Sequence, residues 1–584
     1  MAKLSKTKKR TSAPQAQAKS SPNAFSWTVV MQAAVIVAAA LVIYGPALHG
    51  EWIWDDELLV TGNSRLRSAD GLFKIWFSWP TNDYWPLTWT LLWVEWHLWG
   101  SDPFAYHLTS VVLHVCSGFL LWRLLGRLGL RWGWLGGLLF VIHPLMVESV
   151  AWVAEIKNTL SLPFFLLACD AWLDAEEGKP FAYGKSILFY LAAMLAKSST
   201  VMLPAVLLLY CWWKRQTLTR RELLRMIPYA AIAAVLGLLT IFFQNPEYFR
   251  LAQHIAHPVD AGGPLSRAWR AGAAIFFYLG KVVLPIGLLP LYPRSMPDAS
   301  WLSALTFPCL ALLLVLAWLD RKSWGRHVLF GFGFFLITIL PVAGLARMKY
   351  FEIAWVADHL AYLPPIGLIA LTVAGLEKLA ERIGPQARYD AAGILLPLVV
   401  ALTWLSRDHA SLFANSRALW VYTAQGNPDG YYPRNKLGYV LLQEHRFAES
   451  VQEYKSALRI NPDDYEAYCN IGICCLETGH LDPAQAYFEK AIQAEPGNDN
   501  ARANLGGVYM EKGLLPEAVA EFQAVLQNNP ENTALRFELG TVLLQMGRAA
   551  EAVGQFTEIQ WIDPNYPNIR ESLAAAQQKA AAKP

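Results

Sequence analysis

The stretch NPDDYEAYCNIGICCLETGHLDPAQAYFEKAIQAEP, residues 461–496, is one period of a longer pattern. Pro428, Pro462, Pro496, Pro530 and Pro564 stand 34 residues apart, and so do Gly438, Gly472, Gly506 and Gly540. Sixteen residues past each glycine lies an aromatic: Tyr454, Phe488, Phe522 and Phe556. Twelve past it lies a small residue: Ser450, Ala484, Ala518 and Ala552. Small residues let two helices approach closely, the ring fills the space between them, and the proline ends the second helix.

That spacing is the tetratricopeptide (TPR) pattern, in which each repeat is a pair of antiparallel helices. It predicts an all-α arm of four repeats over 431–566, a capping helix and tail over 567–584, and a concave face. Arms of this kind bind peptides or protein surfaces. Residues 431–584 carry 13 Lys/Arg against 20 Asp/Glu, a net of −7, which leaves +10 for the rest of the chain. An acidic arm argues against nucleic acid as its partner. The seven cysteines show no metal-ligand spacing and read as small packing residues.

Upstream, the 584-residue chain is 54% hydrophobic with 25 Trp, the composition of a polytopic membrane protein. Residues 1–24 form a basic, acid-free tail, predicted to be disordered and cytoplasmic. Residues 25–405 read as a bundle of about eleven membrane crossings. The first is Thr28–Leu48, and a first outer loop covers 50–105. Later spans include Trp132–Ile142, one running from near Glu148 to Leu173, Ser186–Ala196, Val201–Trp213 and Met226–Phe243. Residues 266–290 suit a re-entrant pair of half-helices. Trp301–Leu319, Val328–Leu345, Leu360–Leu379 and Ala391–Leu405 follow. An amphipathic linker over about 406–430 then leads into the arm. Lys214, Arg215, Arg220, Arg221 and Arg225 mark an inner loop. An odd number of crossings puts the arm on the same outer side as the first loop.

Polar residues inside or beside hydrophobic spans are functional candidates, because burying them unpaired costs several kcal/mol. The first loop holds Trp54-Asp55-Asp56, and the outer span ends hold His143, Glu148, Lys157, Lys197, Arg347, Lys349, Asp358 and His359. Structural ion pairing, for example Glu148 with Lys197, is the plain alternative. As a set, carboxylates and cations at the mouth of an apolar bundle suit a lipid-linked sugar phosphate. A carboxylate would take the proton from an acceptor hydroxyl as it attacks the sugar's anomeric carbon. Glu148 and His143 would shape the site or hold the acceptor. Lys157, Lys197, Arg347, Lys349 and His359 would face the phosphate, beside Tyr84 and Trp85. Neither metal nor cofactor is required. The chain shows no P-loop or Rossmann fingerprint, and ion-coupled transport remains the competing chemistry.

Several motifs occur in a telling order: Trp54-Asp55-Asp56, Tyr84-Trp85-Pro86-Leu87, Tyr106-His107-Leu108 with His114, His143-Pro144 with Glu148-Ser149-Val150-Ala151-Trp152, and Ala196-Lys197-Ser198. Followed by TPR repeats, this order resembles the GT-C class of membrane glycosyltransferases, and within it the transmembrane and TPR-containing O-mannosyltransferases and their bacterial relatives. The resemblance implies a polyprenyl-phosphate sugar as donor, a Ser/Thr hydroxyl of an exported protein as acceptor, and a catalytic acid in the first loop, Asp55 or Asp56, with the other orienting it. It also implies a bacterial inner membrane or endoplasmic reticulum location, with the arm periplasmic or lumenal. Two further readings stay open: transfer of oligosaccharide or envelope glycan, and an inactive scaffold with a protein-binding arm. This chain departs from its relatives at Trp85, at Ser198-Ser199, and at Glu155-Ile156-Lys157-Asn158. Lys157 and Lys197 are the cations that survive these changes.

Overall fold

A computed structural model describes residues 27–78, 84–243, 263–294, 301–345, 349–384 and 387–582. The predicted basic tail and Arg347 lie outside the described residues, and of Lys349 only the backbone is described. Among the described residues every regular element is a helix.

In the N-terminal bundle, Trp27–Leu48 packs against Pro103–Arg127, Gly133–Ile142 and Ala387–Ser411. Glycines permit the closest crossings, since lipid supplies no hydrophobic drive between helices and backbone approach must replace it. A Cβ on Gly137 would run into the Gly118 backbone, and one on Gly331 into that of Gly367.

Trp27–Leu48, Pro103–Arg127 and Gly325–Val342 are long and apolar enough to cross a membrane; a pair bent by 60° at His143, Gly133–Ile142 with Pro144–Ala151, would be a fourth. Ala182–Ala196, Ile227–Phe243 and Phe307–Leu319 are apolar but shorter. Among the described residues fewer than eleven helices meet that length and apolarity, and several expected spans are broken. The span expected from Glu148 to Leu173 is interrupted at Trp152 and by the turn Val153–Glu155 before the helix Ile156–Glu176 begins. Ala182–Ala196 and Leu203–Arg215 flank a turn, Ser198–Met202. Each break frees backbone groups that need partners in an apolar surrounding, so polar side chains gather there.

Two other expectations change. Residues 264–283 form one helix, Pro264–Val283, in place of paired half-helices, and an irregular return buries Leu288, Leu291 and Tyr292. Residues 406–430 are not a spacer. The last apolar helix runs on to Ser411, and Ser416–Gly426 then buries Leu419 and Trp420 in the core it shares with the bundle.

The arm follows directly. Its helix pairs are Tyr431–Gln443 with Phe447–Ile460, Tyr465–Glu477 with Leu481–Ala494, Asp499–Glu511 with Leu515–Asn528, and Thr533–Gln545 with Ala549–Ile562; Ile569–Ala581 caps them. A Cβ on any of Gly438, Gly472, Gly506 or Gly540 would strike the aromatic sixteen residues on. Asp464, Asn498 and Asn532 cap the next first helices by accepting from Ala467, Ala501 and Leu535 N–H. The turn inside each later repeat needs a left-handed residue and uses Gly479, Gly513 and Gly547, whereas the first repeat places His445 there with φ 56°.

Candidate active site

The two aspartates of the first loop have different surroundings. Asp56 is fully buried. Its Oδ1 accepts from Ala154 N–H at 2.7 Å and its Oδ2 from Ile53 N–H at 3.2 Å. It thus pins the loop to the Val153–Glu155 turn, 98 residues away. Burial, reinforced by Asp55 alongside, pushes its carboxyl up to about 8. Asp55 is only half-buried. Glu51 ties the other flank of the loop to the base of the arm, its Oε1 accepting from Ser416 N–H at 2.8 Å.

At the broken helix ends the charges converge. Glu148 does not meet Lys197, as the simple pairing would have it. Its carboxylate caps the turn Asp358–Ala361, accepting from His359 N–H at 2.8 Å and lying 2.9 Å from His359 Nδ1. Lys197 instead donates to Asn158 Oδ1 and lies 3.6 Å from Glu155. Lys157 donates to Glu155 Oε1 at 2.6 Å and to Ala154 O at 3.0 Å, with its ammonium 5.2 Å from the Trp85 ring centre. Glu155 also accepts from Asn158 Nδ2 at 2.8 Å. Burial alone would raise the Glu155 carboxyl, but His359, Lys157 and Lys197 around it draw it down to about 2.

Glu155 is therefore the hub where two lysines and the His359 ring meet. The motif comparison showed it only as a departure. Asn158, which bridges Ser149, Glu155, Lys197 and the His359 carbonyl, was not foreseen either. Asp358 sits beside this hub, its Oδ1 accepting from Tyr292 Oη at 3.0 Å. Burial and the neighbouring Glu148 hold its carboxyl well above the ordinary carboxylate range. Its Oδ2 and the Tyr350 hydroxyl have no hydrogen-bond partner among the described residues.

Of the expected site residues, the structure gathers Glu148, Lys157, Lys197 and His359 in one network, with Trp85 against Lys157. His143 turns away from that network. Its Nδ1 accepts from Leu145 N–H, and its Nε2 lies 3.0 Å from the Val282 carbonyl, so it staples the bent span to Pro264–Val283. Tyr84 hydrogen-bonds the Trp76 carbonyl at 3.4 Å. Lys157 and Lys197 already face Glu155, and His359 faces Glu148, so none of them stands waiting for an anion.

Comparison with known proteins divides along the same line as the fold. Tetratricopeptide-repeat family models match residues 438–479, 476–532 and 504–567. The Drosophila melanogaster protein O-mannosyl-transferase Tmtc3 is 23% identical over 73% of this chain and 54% of its own length. Human protein O-mannosyl-transferase TMTC1 is 24% identical over 73% and 55%. The likeness is to the TMTC protein O-mannosyl-transferases. It covers about three quarters of this chain, and the chain spans about half the length of the curated relatives it matches. Among solved structures, YrrB, described as a TPR protein with an unusual peptide-binding site, aligns with 28% of this chain and 84% of its own at 21% identity and a TM-score of 0.27. The chain thus pairs apolar helices similar to those relatives with a tetratricopeptide arm.

Proposed function

We propose that the protein is a glycosyltransferase that moves one sugar from a polyprenyl phosphate to a Ser/Thr hydroxyl of an exported protein. Asp55 is the base, and the arm recruits the acceptor. The observation that carries this reading is the division of labour within the aspartate pair. Asp56 is buried on two backbone N–H groups and fixes the loop, while Asp55 beside it is half-buried, within reach of an acceptor hydroxyl.

In the step, Asp55 removes the hydroxyl proton as the oxygen attacks the anomeric carbon. The bond from that carbon to the phosphate oxygen breaks with inversion, and its electron pair leaves on the phosphate. Lys157 and Lys197 supply positive charge to the departing phosphate, and Glu155 holds them until it forms. The contact of Trp54 with Tyr432 of the first repeat supports a common side for loop and arm, which the reading takes as extracytoplasmic. The relatives' name adds mannose as the first sugar to try.

The test is transfer from polyprenyl-phosphate mannose to a Ser/Thr peptide by the purified chain. Asp55→Asn should lower the rate by about 10²–10⁴-fold while membrane insertion and melting temperature hold. Transfer undiminished by Asp55→Asn would remove this residue from the chemistry.

A further inference from the structure

The residue before Asp55 is held in an uncommon way. Trp54 has φ 52°, a left-handed conformation that bulky side chains rarely adopt. Its ring meets aromatic side chains from two distant parts of the chain. It stacks on Trp152 of the broken span, with centroids 4.4 Å apart and planes 7° from parallel. It meets Trp420 edge-on at 4.9 Å, and its Nε1–H donates to the Tyr432 hydroxyl at 3.1 Å. Trp420 lies in the helix that enters the arm, and Tyr432 in the arm's first helix. On the far side, Trp152 packs edge-on to His359 at 6.0 Å, and His359 is bound to Glu148. The helix carrying Trp420 is itself clamped to the first loop through Glu51.

We propose that Trp54 is a positioning residue that couples the repeat arm to the acidic site, so that a shift of the first repeat on acceptor binding is transmitted to Asp55. The inference rests on the reading of Asp55 as the base. Backbone strain at a functional loop persists only where the surroundings over-determine it. Here two elements could hold the strain: the ring contacts, and the Ile53–Asp56 turn with its own hydrogen bonds. Glycine at position 54 tells them apart, because it accepts φ 52° without cost and removes only the ring.

The experiment compares hydrogen exchange and transfer kinetics of the full chain in lipid nanodiscs for wild type, Trp54→Gly and Tyr432→Phe. With the glycine, amides of the Val153–Glu155 turn and of Tyr431–Gln443 should both exchange at least tenfold faster. The kcat for a Ser/Thr peptide should fall at least tenfold with KM little changed. Tyr432→Phe, which removes one hydroxyl and tests the coupling even if the glycine chain folds poorly, should move the same quantities two- to fivefold. Unchanged exchange in either segment would overturn the coupling, as would faster exchange in both with an unaltered kcat. A wild-type chain that transfers nothing counts against the glycosyltransfer reading instead, and the exchange pattern then decides by itself whether loop and arm are joined.

Discussion

Two carboxylates bracket the helix Ile156–Glu176, about 30 Å apart at 1.5 Å per residue, and each is the centre of a charge cluster. At one end Glu176 is gripped by Arg215 and, at 2.5 Å, by Arg225, whose guanidinium lies 4.1 Å from the Trp172 ring centre. Around it, Arg127 reaches Asp170, Asp174 and Glu177 at 2.6–2.8 Å. At the other end Glu155 is surrounded by Lys157, Lys197, Asn158 and His359. The arginine cluster uses planar forks that match carboxylates in fixed geometry. The lysine and histidine cluster uses point charges on flexible stems and an imidazole ring. Beside the second, the buried carboxyl oxygen Asp358 Oδ2 has no partner among the described residues. Similar charge density is held by planar forks at one end and by flexible point charges at the other.

The largest expected effect breaks both ends in the same way and reads out two properties. Glu155→Gln leaves Lys157 and Lys197 without their carboxylate, and Glu176→Gln does the same to Arg225. Removing one member of a buried pair costs about 3–5 kcal/mol, so both variants should melt well below wild type. Their activities should then diverge. Among molecules that remain folded, transfer should be lost with Glu155→Gln and retained with Glu176→Gln. Equal loss of specific activity would mean that the two clusters do the same job.

A second prediction separates two acids within the site by pH. The Asp56 carboxyl is raised to about 8, so the folded chain holds a proton there that the unfolded chain releases near 4. Stability from this group is full below about pH 4 and declines as pH rises through 8, by at most about 1.4 kcal/mol per unit. The Glu155 carboxyl is lowered to about 2, and its contribution is present above about 4.5 and lost as pH falls toward 2. Melting temperature followed from pH 5 to 8 should therefore fall less steeply in Asp56→Asn than in wild type. Parallel curves would show that Asp56 is ionised throughout that range.

These two ends also show what could be read from the chain beforehand. The repeats were legible because their determinants are local: Gly438 and Tyr454 touch across 16 residues, and the spacing recurs. The membership of Glu148, Lys157, Lys197 and His359 in a polar network was legible from charge placed in apolar surroundings. Their partners were not. Glu148 finds His359 211 residues away, and Asp56 finds a backbone N–H, which leaves no trace in side-chain identity. Glu155 escaped notice because a carboxylate between apolar residues looks the same whether it is a surface acid or a hub. The break at Trp152, which turns it inward, is a tertiary outcome. The linker was misread for a similar reason: Leu419 and Trp420 look amphipathic in isolation, and only the bundle supplies the surface that buries them.

The smallest effect sharpens the comparison from the arginine end. Arg123 lies against Asp170 with two nitrogens at 3.1–3.2 Å, but its side chain is 58% exposed. Asp170 keeps a second arginine, since Arg127 donates to its carboxylate at 2.7 Å. Exposed pairs of this kind contribute about 0–1 kcal/mol, and salt weakens them. Arg123→Ala should thus shift melting by no more than a few degrees, by less in high salt, and leave transfer unchanged. Arg127→Ala, by contrast, strips three carboxylates of a mostly buried partner. A large loss from Arg123→Ala would mean that its exposed fork is as firmly held as the buried one, and the contrast would then lie between the two sites' chemistry alone, with no part played by burial.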